Sequence, residues 1–143
     1  MPSRTIRVVA LGVIWRGEEV LVSQLHDPGD DYRFYRPLGG GIEFGELGHE
    51  ALKREFNEEL GVELTNIEYL ETYEDVFTFN GKQEHELWRI YEATIVEEWP
   101  YQRERMTGHE PELGEEFPVV WKHPSAFTTN DETFYPEELL FLL

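Results

Sequence analysis

A chain of 143 residues with 40% apolar and 14% aromatic side chains can bury one ordinary core, which excludes wholesale disorder and leaves no room for a second domain, so residues 1–143 are expected to form one unit. Thirty acidic against 12 basic residues give a formal net charge of −18, which excludes a general affinity for long nucleic acid or an anionic membrane, so any polyanion must be met by a metal ion or a few placed arginines. There is no cysteine, and disulfides, thiolate metal sites and cysteine nucleophiles are excluded with it.

The N-terminal apolar run is short and broken by Arg7, Gly12 and Arg16, unlike a signal sequence or membrane span, and a soluble cytoplasmic protein is the default expectation. Residues 5–15 are rich in β-branched side chains and predict a strand. A turn at 16–19 and a second strand at 20–25 follow, predicting a hairpin. Residues 27–31 have loop composition, and 32–36 are aromatic and extended, because Pro37 disfavours helix before it. Leu38, Gly39, Gly40 and Gly41 then predict a glycine loop whose backbone can approach a ligand closely.

Residues 46–60 predict the principal helix. Leu47, Ala51, Leu52, Phe56 and Leu60 form its apolar stripe, and Gly61 ends it. Two strands at 64–79 and 84–96 flank Asn80 and Gly81, a strong hairpin signal. The polar stretch 99–116 predicts a long loop, of the kind that carries function in compact domains. A short strand at 117–121 and a closing helix at 136–143, docking through Leu139, Leu140 and Leu143, complete the chain.

The chemistry concentrates in residues 40–62. Glu55, Glu58 and Glu59 recur at steps of three and four, which on a helix places three carboxylates on one face. Such like-charged pairs cost roughly 0.2–0.5 kcal/mol each when exposed, and more when partly buried. A hard divalent cation bound by carboxylate oxygens converts that repulsion into binding. A solvated helix face would instead intersperse lysine four residues on.

Gly40, Glu46, Arg54, Glu55, Phe56, Glu58, Glu59, Gly61 and Val62 fall at spacings that together resemble the Nudix box, the signature of hydrolases acting on a nucleoside diphosphate linked to another group. The resemblance implies an α/β/α sandwich with a mixed central sheet. It implies metal ligation by Glu55, Glu58 and Glu59, with the Gly40 carbonyl as a further donor and Mg²⁺, or Mn²⁺ in its place, as cofactor. It assigns Arg54 and Glu46 to a supporting ion pair, with Glu46 a metal contact only second. The general base is implied to be a box glutamate such as Glu58 or a late-loop glutamate. Glu110, Glu112, Glu115 and Glu116 are available there, with Glu115, six residues before Trp121, preferred over Glu116. Family members usually carry proline directly before the paired glycines, whereas Leu38 intervenes here, implying an extra residue or a shifted turn.

Substrate contacts are expected from Arg36, a cation beside the glycines that can pair with phosphate, and from Tyr32, Tyr35, Phe44 and Trp15 by stacking on a base. Trp15 and Trp121 weigh more heavily as core or rim residues, and the five histidines show no pair at ligand spacing. The expected function is metal-dependent hydrolysis of a pyrophosphate bond in an NTP, ADP-ribose, sugar nucleotide or dinucleoside polyphosphate. The alternative is a nucleotide-sensing module of the same fold, which usually has lost box glutamates. The isomerase branch needs a cysteine and is set aside, and the charge argues against decapping of long RNA. The partner is thus a small nucleotide, and since related proteins are often dimers, a homodimer is also considered.

Overall fold

The computed structural model describes residues 4–29, 31–111, 114–129 and 132–143, with backbone only at Thr129 and Phe141. Strands β1 (Ile6–Val13), β2 (Trp15–Arg16), β3 (Glu19–Asp27), β4 (Tyr32–Arg36) and β5 (Leu38–Gly41) precede helix α1 (Gly48–Leu60). Then come β6 (Leu64–Phe79), β7 (Lys82–Ile95), a 3₁₀ turn at Trp99–Gln102, β8 (Arg105–Glu110), β9 (Glu115–Lys122), the short α2 (Ala126–Thr129) and a 3₁₀ segment at Glu137–Leu142.

Among the described residues the strands form two sheets. One has the order β5-β1-β7-β6 and is mixed, with β1 parallel to β7 and the other neighbours antiparallel. The other has the order β2-β3-β9-β8, with β4 also on β3. Strand β1 is buried on both faces, which explains its continuous apolar run. Ala10 points into the core beneath α1, with Leu52, Phe56, Leu38 and Trp121. Val9 and Leu11 point the other way, joining Trp88, Ile90, Phe127 and Leu139. With α1 over one core and the C-terminal segments over the other, the fold is the expected mixed α/β sandwich.

The differences from expectation have local causes. The first hairpin closes only through β2, because β1 itself departs into the other sheet between β5 and β7. The expected glycine loop is strand β5, pairing Leu38 to Gly41 with Gly12 to Val9 without a break. The Leu38 side chain is a core residue. Residues 99–116 are not one loop: β8 and β9 make a hairpin whose outer positions are polar because one face meets solvent.

Helix α1 begins at Gly48 rather than 46, since the Glu46 carboxylate is held by Arg54 and by the Glu43 N–H (3.1 Å). Its first turn is closed by the Leu47 N–H donating to Glu50 (2.9 Å). Gly61 caps its other end at φ 70°. The closing helix is a 3₁₀ segment, with Leu139 fully buried. Asn80 and Gly81 turn the β6–β7 hairpin with φ of 53° and 73°, the backbone that a two-residue turn of this hand requires. Buried Asp27 ties that turn to the β3–β4 connection by accepting from the N–H groups of Gly29 (2.8 Å) and Asn80 (2.9 Å).

Candidate active site

The apolar stripe of α1 fixes which carboxylates face inward. Phe56 and Leu52 are fully buried against Gly12 on β1, and this anchors the helix with Glu55 turned toward Gly40 of β5 and Glu59 lining the same cavity. Glu59 is 6% exposed and Glu55 half-buried, while Glu58 lies exposed at the rim. The three residues thus share a face at very different depths. Beside them opens a cavity of about 580 Å³, whose floor is β5 and whose walls include Arg36, Glu43, Arg54 and Phe117.

Arg54 organises the mouth. Its guanidinium donates to both Glu46 oxygens (2.8 and 3.0 Å), to Glu55 (2.9 Å), to Glu58 (3.3 Å) and to the Gly41 carbonyl (2.9 Å). One planar fork therefore joins the helix, the β5–α1 connection and the end of β5. The Arg54 hydrogen bonds, partly offset by burial, hold Glu46 below the usual carboxylate range.

Deeper in, burial raises the Glu55 carboxyl despite Arg54, and raises Glu59 much further with help from the Glu55 charge. Repulsion from Glu58 and Glu110 adds to both, and Arg36 opposes it at Glu59. Glu110 reaches this cluster from the end of β8. Glu115 and Glu116, the expected late-loop pair, line the same cavity from the start of β9 but are exposed. Glu112 lies outside the described residues.

The donor set suits a hard divalent cation. All its atoms are carboxylate or carbonyl oxygens, and the buried Glu59 Oε2 has no hydrogen-bond partner among the described residues. Gly40 is buried directly under Glu55, and a Cβ built there would collide with the Glu55 carboxylate. As they stand, no three acidic or histidine side chains among the described residues form a ready metal cluster, because Glu55 and Glu58 lean on Arg54. Gly40→Ala is expected to displace Glu55 and reduce turnover about 10–100-fold, the usual scale for disturbing a ligand's support, with a nearly unchanged circular-dichroism spectrum.

Arg36, on β4, lines this cavity with Glu59 and a neighbouring pocket with Glu86, and both carboxylates attract it. Its guanidinium makes no hydrogen bond or ion pair shown among the described residues, and burial lowers its pKa. The structure does not bring the other expected substrate contacts to this cavity. Tyr35 packs on Phe127 with Lys122 over its ring, Phe44 is fully exposed on the β5–α1 connection, and Trp15 packs against the second core. Tyr32 instead borders a neighbouring pocket. Sequence reasoning missed Arg7 and Glu86, which stand opposite each other in the β1–β7 register. Their signal was parity: Glu86 shares the inward face of Trp88 and Ile90, where a charge is out of place.

The profile described as NUDIX domain matches residues 5–138. Among solved structures, a MutT NUDIX hydrolase from Burkholderia pseudomallei is similar with a TM-score of 0.70 at 19% identity, over 97% of this chain and 98% of the other. An ADP compounds hydrolase is similar at 0.68 and 20% identity, over 97% and 71% of the two chains. A NUDIX hydrolase from Nitrosomonas europaea follows at 0.67 and 16%, over 96% and 85%. These structural likenesses are likenesses of fold. A search of curated proteins finds no significant match. With the family match running through both sheets and α1, this chain belongs to the Nudix family, hydrolases that act on pyrophosphate bonds and generally use a divalent metal.

Proposed function

We propose that this chain hydrolyses the phosphoanhydride bond of a small nucleotide, a nucleoside diphosphate linked to a further group, with Mg²⁺ or Mn²⁺ held by Glu55, Glu58, Glu59 and the Gly40 carbonyl. One observation carries the reading. The buried, unpartnered Glu59 oxygen stands beside Glu55 in a cavity that also presents the Arg36 guanidinium, so oxygen donors and a phosphate-binding cation face one space. When bound, such a cation neutralises phosphoryl oxygens and acidifies water.

The chain's own groups supply the rest. Arg36 pairs with a phosphoryl oxygen and orients the anhydride. Arg54 orients Glu55 and Glu58 through its hydrogen bonds and fixes Glu46 at the cavity mouth. A carboxylate of the β8–β9 hairpin takes the proton of the attacking water. Glu110 suits that role better than Glu115 or Glu116, since it lines the cavity half-buried whereas they are exposed. A cytoplasmic setting, where nucleotide substrates are found, is part of this proposal; among the described residues no helix is long and apolar enough to cross a membrane.

The test is product identification from a panel of NTPs, ADP-ribose, sugar nucleotides and dinucleoside polyphosphates with Mg²⁺ or Mn²⁺. Glu110→Gln, Glu115→Gln and Glu116→Gln are run in parallel on the best substrate. Metal-dependent release of a nucleoside monophosphate is expected, with Glu110→Gln the most impaired by about 10²-fold or more. No turnover of any compound would leave a nucleotide sensor. Equal activity in all three variants would return the base to the box helix.

A further inference from the structure

A second pocket of about 250 Å³ adjoins the phosphate-facing cavity, and the two share Arg7, Leu25 and Arg36 as lining residues. Its volume is below the roughly 300–1,000 Å³ of pockets that take a whole drug-sized ligand, so it suits one planar ring system. The walls are aromatic. Phe34, Phe77, Phe79 and Tyr135 pack edge to face, with Phe34 6.3 Å from Phe79 and Phe77 5.3 Å from Tyr135 between ring centroids. Set into these walls is Glu86, a carboxylate only 4% exposed.

Glu86 is not consumed by its neighbours. Among the described residues, one oxygen accepts from the Trp88 indole N–H (2.8 Å), and the other has only a long contact to Arg7 (3.5 Å). A carboxylate offers about four acceptor sites, so capacity remains on the pocket side. A buried acceptor of this kind has a strong preference for donors, because an unmatched partner leaves it desolvated. Arg36 and Arg7 supply the opposite need, donors with no acceptor of their own.

Nucleobases differ in how they meet this set. Guanine presents two adjacent donors, N1–H and the 2-amino group, and carries O6 and N7 as acceptors. Adenine offers its 6-amino donor next to a bare N1 lone pair, which a carboxylate repels. Cytosine places a lone pair beside its amino group, and uracil flanks its single N–H with two carbonyls. Only guanine matches a carboxylate with two neighbouring donors and leaves acceptors for a guanidinium.

We propose that this aromatic pocket is a base subsite selective for guanine, in which Glu86 accepts from N1–H and the 2-amino group while Arg36 or Arg7 serves O6 or N7. The substrate is then a guanine nucleotide whose phosphates extend past Arg36 into the acidic cavity. The assignment rests on the hydrolase reading for its phosphate end, and on the pocket alone for its base end.

The two ends can be tested apart. Binding of GTP, ITP, ATP, CTP and UTP is measured by tryptophan fluorescence in EDTA, where turnover is suppressed, and kcat/KM for the same five is measured with Mg²⁺. GTP is expected to bind at least about tenfold more tightly than ATP, CTP or UTP, the scale of one hydrogen-bonded charge. ITP, which lacks only the 2-amino group, should weaken by about tenfold. Glu86→Gln should bring GTP to within about threefold of ATP. Equal binding of GTP and ITP, or a preference for another base, overturns the assignment, and this comparison in the unsubstituted protein needs no variant to fold. Guanine-selective binding without turnover supports the subsite and overturns the hydrolase reading. Turnover without base preference does the reverse.

Discussion

Glu59→Gln is expected to lower kcat/KM about 10³-fold, equivalent to ~4 kcal/mol of transition-state stabilisation, while making the metal-free protein more stable at pH 8. The loss follows from removing a charged oxygen donor at the deepest point of the cavity. The gain follows from linkage. Burial raises the Glu59 pKa well above the carboxylate norm, Glu55 adds to this, Arg36 partly offsets it, and Glu110 and Glu58 add again.

The folded chain therefore holds that proton more tightly than the unfolded chain does. The associated stability is fully present below the unfolded pKa and is lost as pH rises through the folded pKa. At pH 8 this glutamate is ionised in the unfolded chain while the folded chain disfavours its charge, so Glu59 opposes folding there, and a glutamine that cannot ionise removes the opposition. Thermal melts in EDTA at pH 5 and pH 8 check it, with a rise in Tm that is larger at pH 8. Retained turnover, or a pH-independent fall in Tm, would contradict the assigned role.

Arg54→Ala should reduce both activity and stability. Breaking a wholly buried ion pair costs about 3–5 kcal/mol, but Arg54, Glu46 and Glu55 are 26%, 17% and 13% exposed in their side chains. Solvent screening lowers the expected cost to about 2 kcal/mol, a drop of roughly 6 °C in Tm for a domain of this size. Most of it arises at half-buried Glu55, which loses the guanidinium that offsets its burial. Turnover should fall about 10–100-fold, because the carboxylates lose their orientation. Arg54→Lys keeps a charge but not the fork that reaches Glu46, Glu55 and the Gly41 carbonyl at once, and should recover less than half of either loss. Full recovery by lysine would reduce Arg54 to a point charge.

Much of the fold was legible because its signals are local. The Leu52, Phe56 and Leu60 stripe with Gly61 marked α1, and Asn80 with Gly81 marked the long hairpin, since helical periodicity and positive φ are properties of a few neighbouring residues. The β8–β9 hairpin was hidden because its strands are short and polar on the open face, so composition spoke for a loop. Strand β5 was hidden because glycines carry no periodicity, and only pairing with β1 makes Leu38 to Gly41 a strand. Tyr35 and Phe44 were singled out for aromatic character near the glycines, yet sequence proximity could not show that one packs on Phe127 and the other faces solvent.

By itself the sequence determined the family, through the nine box positions between Gly40 and Val62, and the spacing of Glu55, Glu58 and Glu59 placed three like charges on one helix face. Only the tertiary structure decided their inequality. Depth of burial depends on what α1 packs against: Glu55 lies on Gly40 of β5, Glu59 is buried deepest and Glu58 is left exposed. It also decided the company they keep. Arg36, Glu110, Arg7 and Glu86 come from four different strands, and their meeting is a consequence of sheet register, which no local pattern encodes.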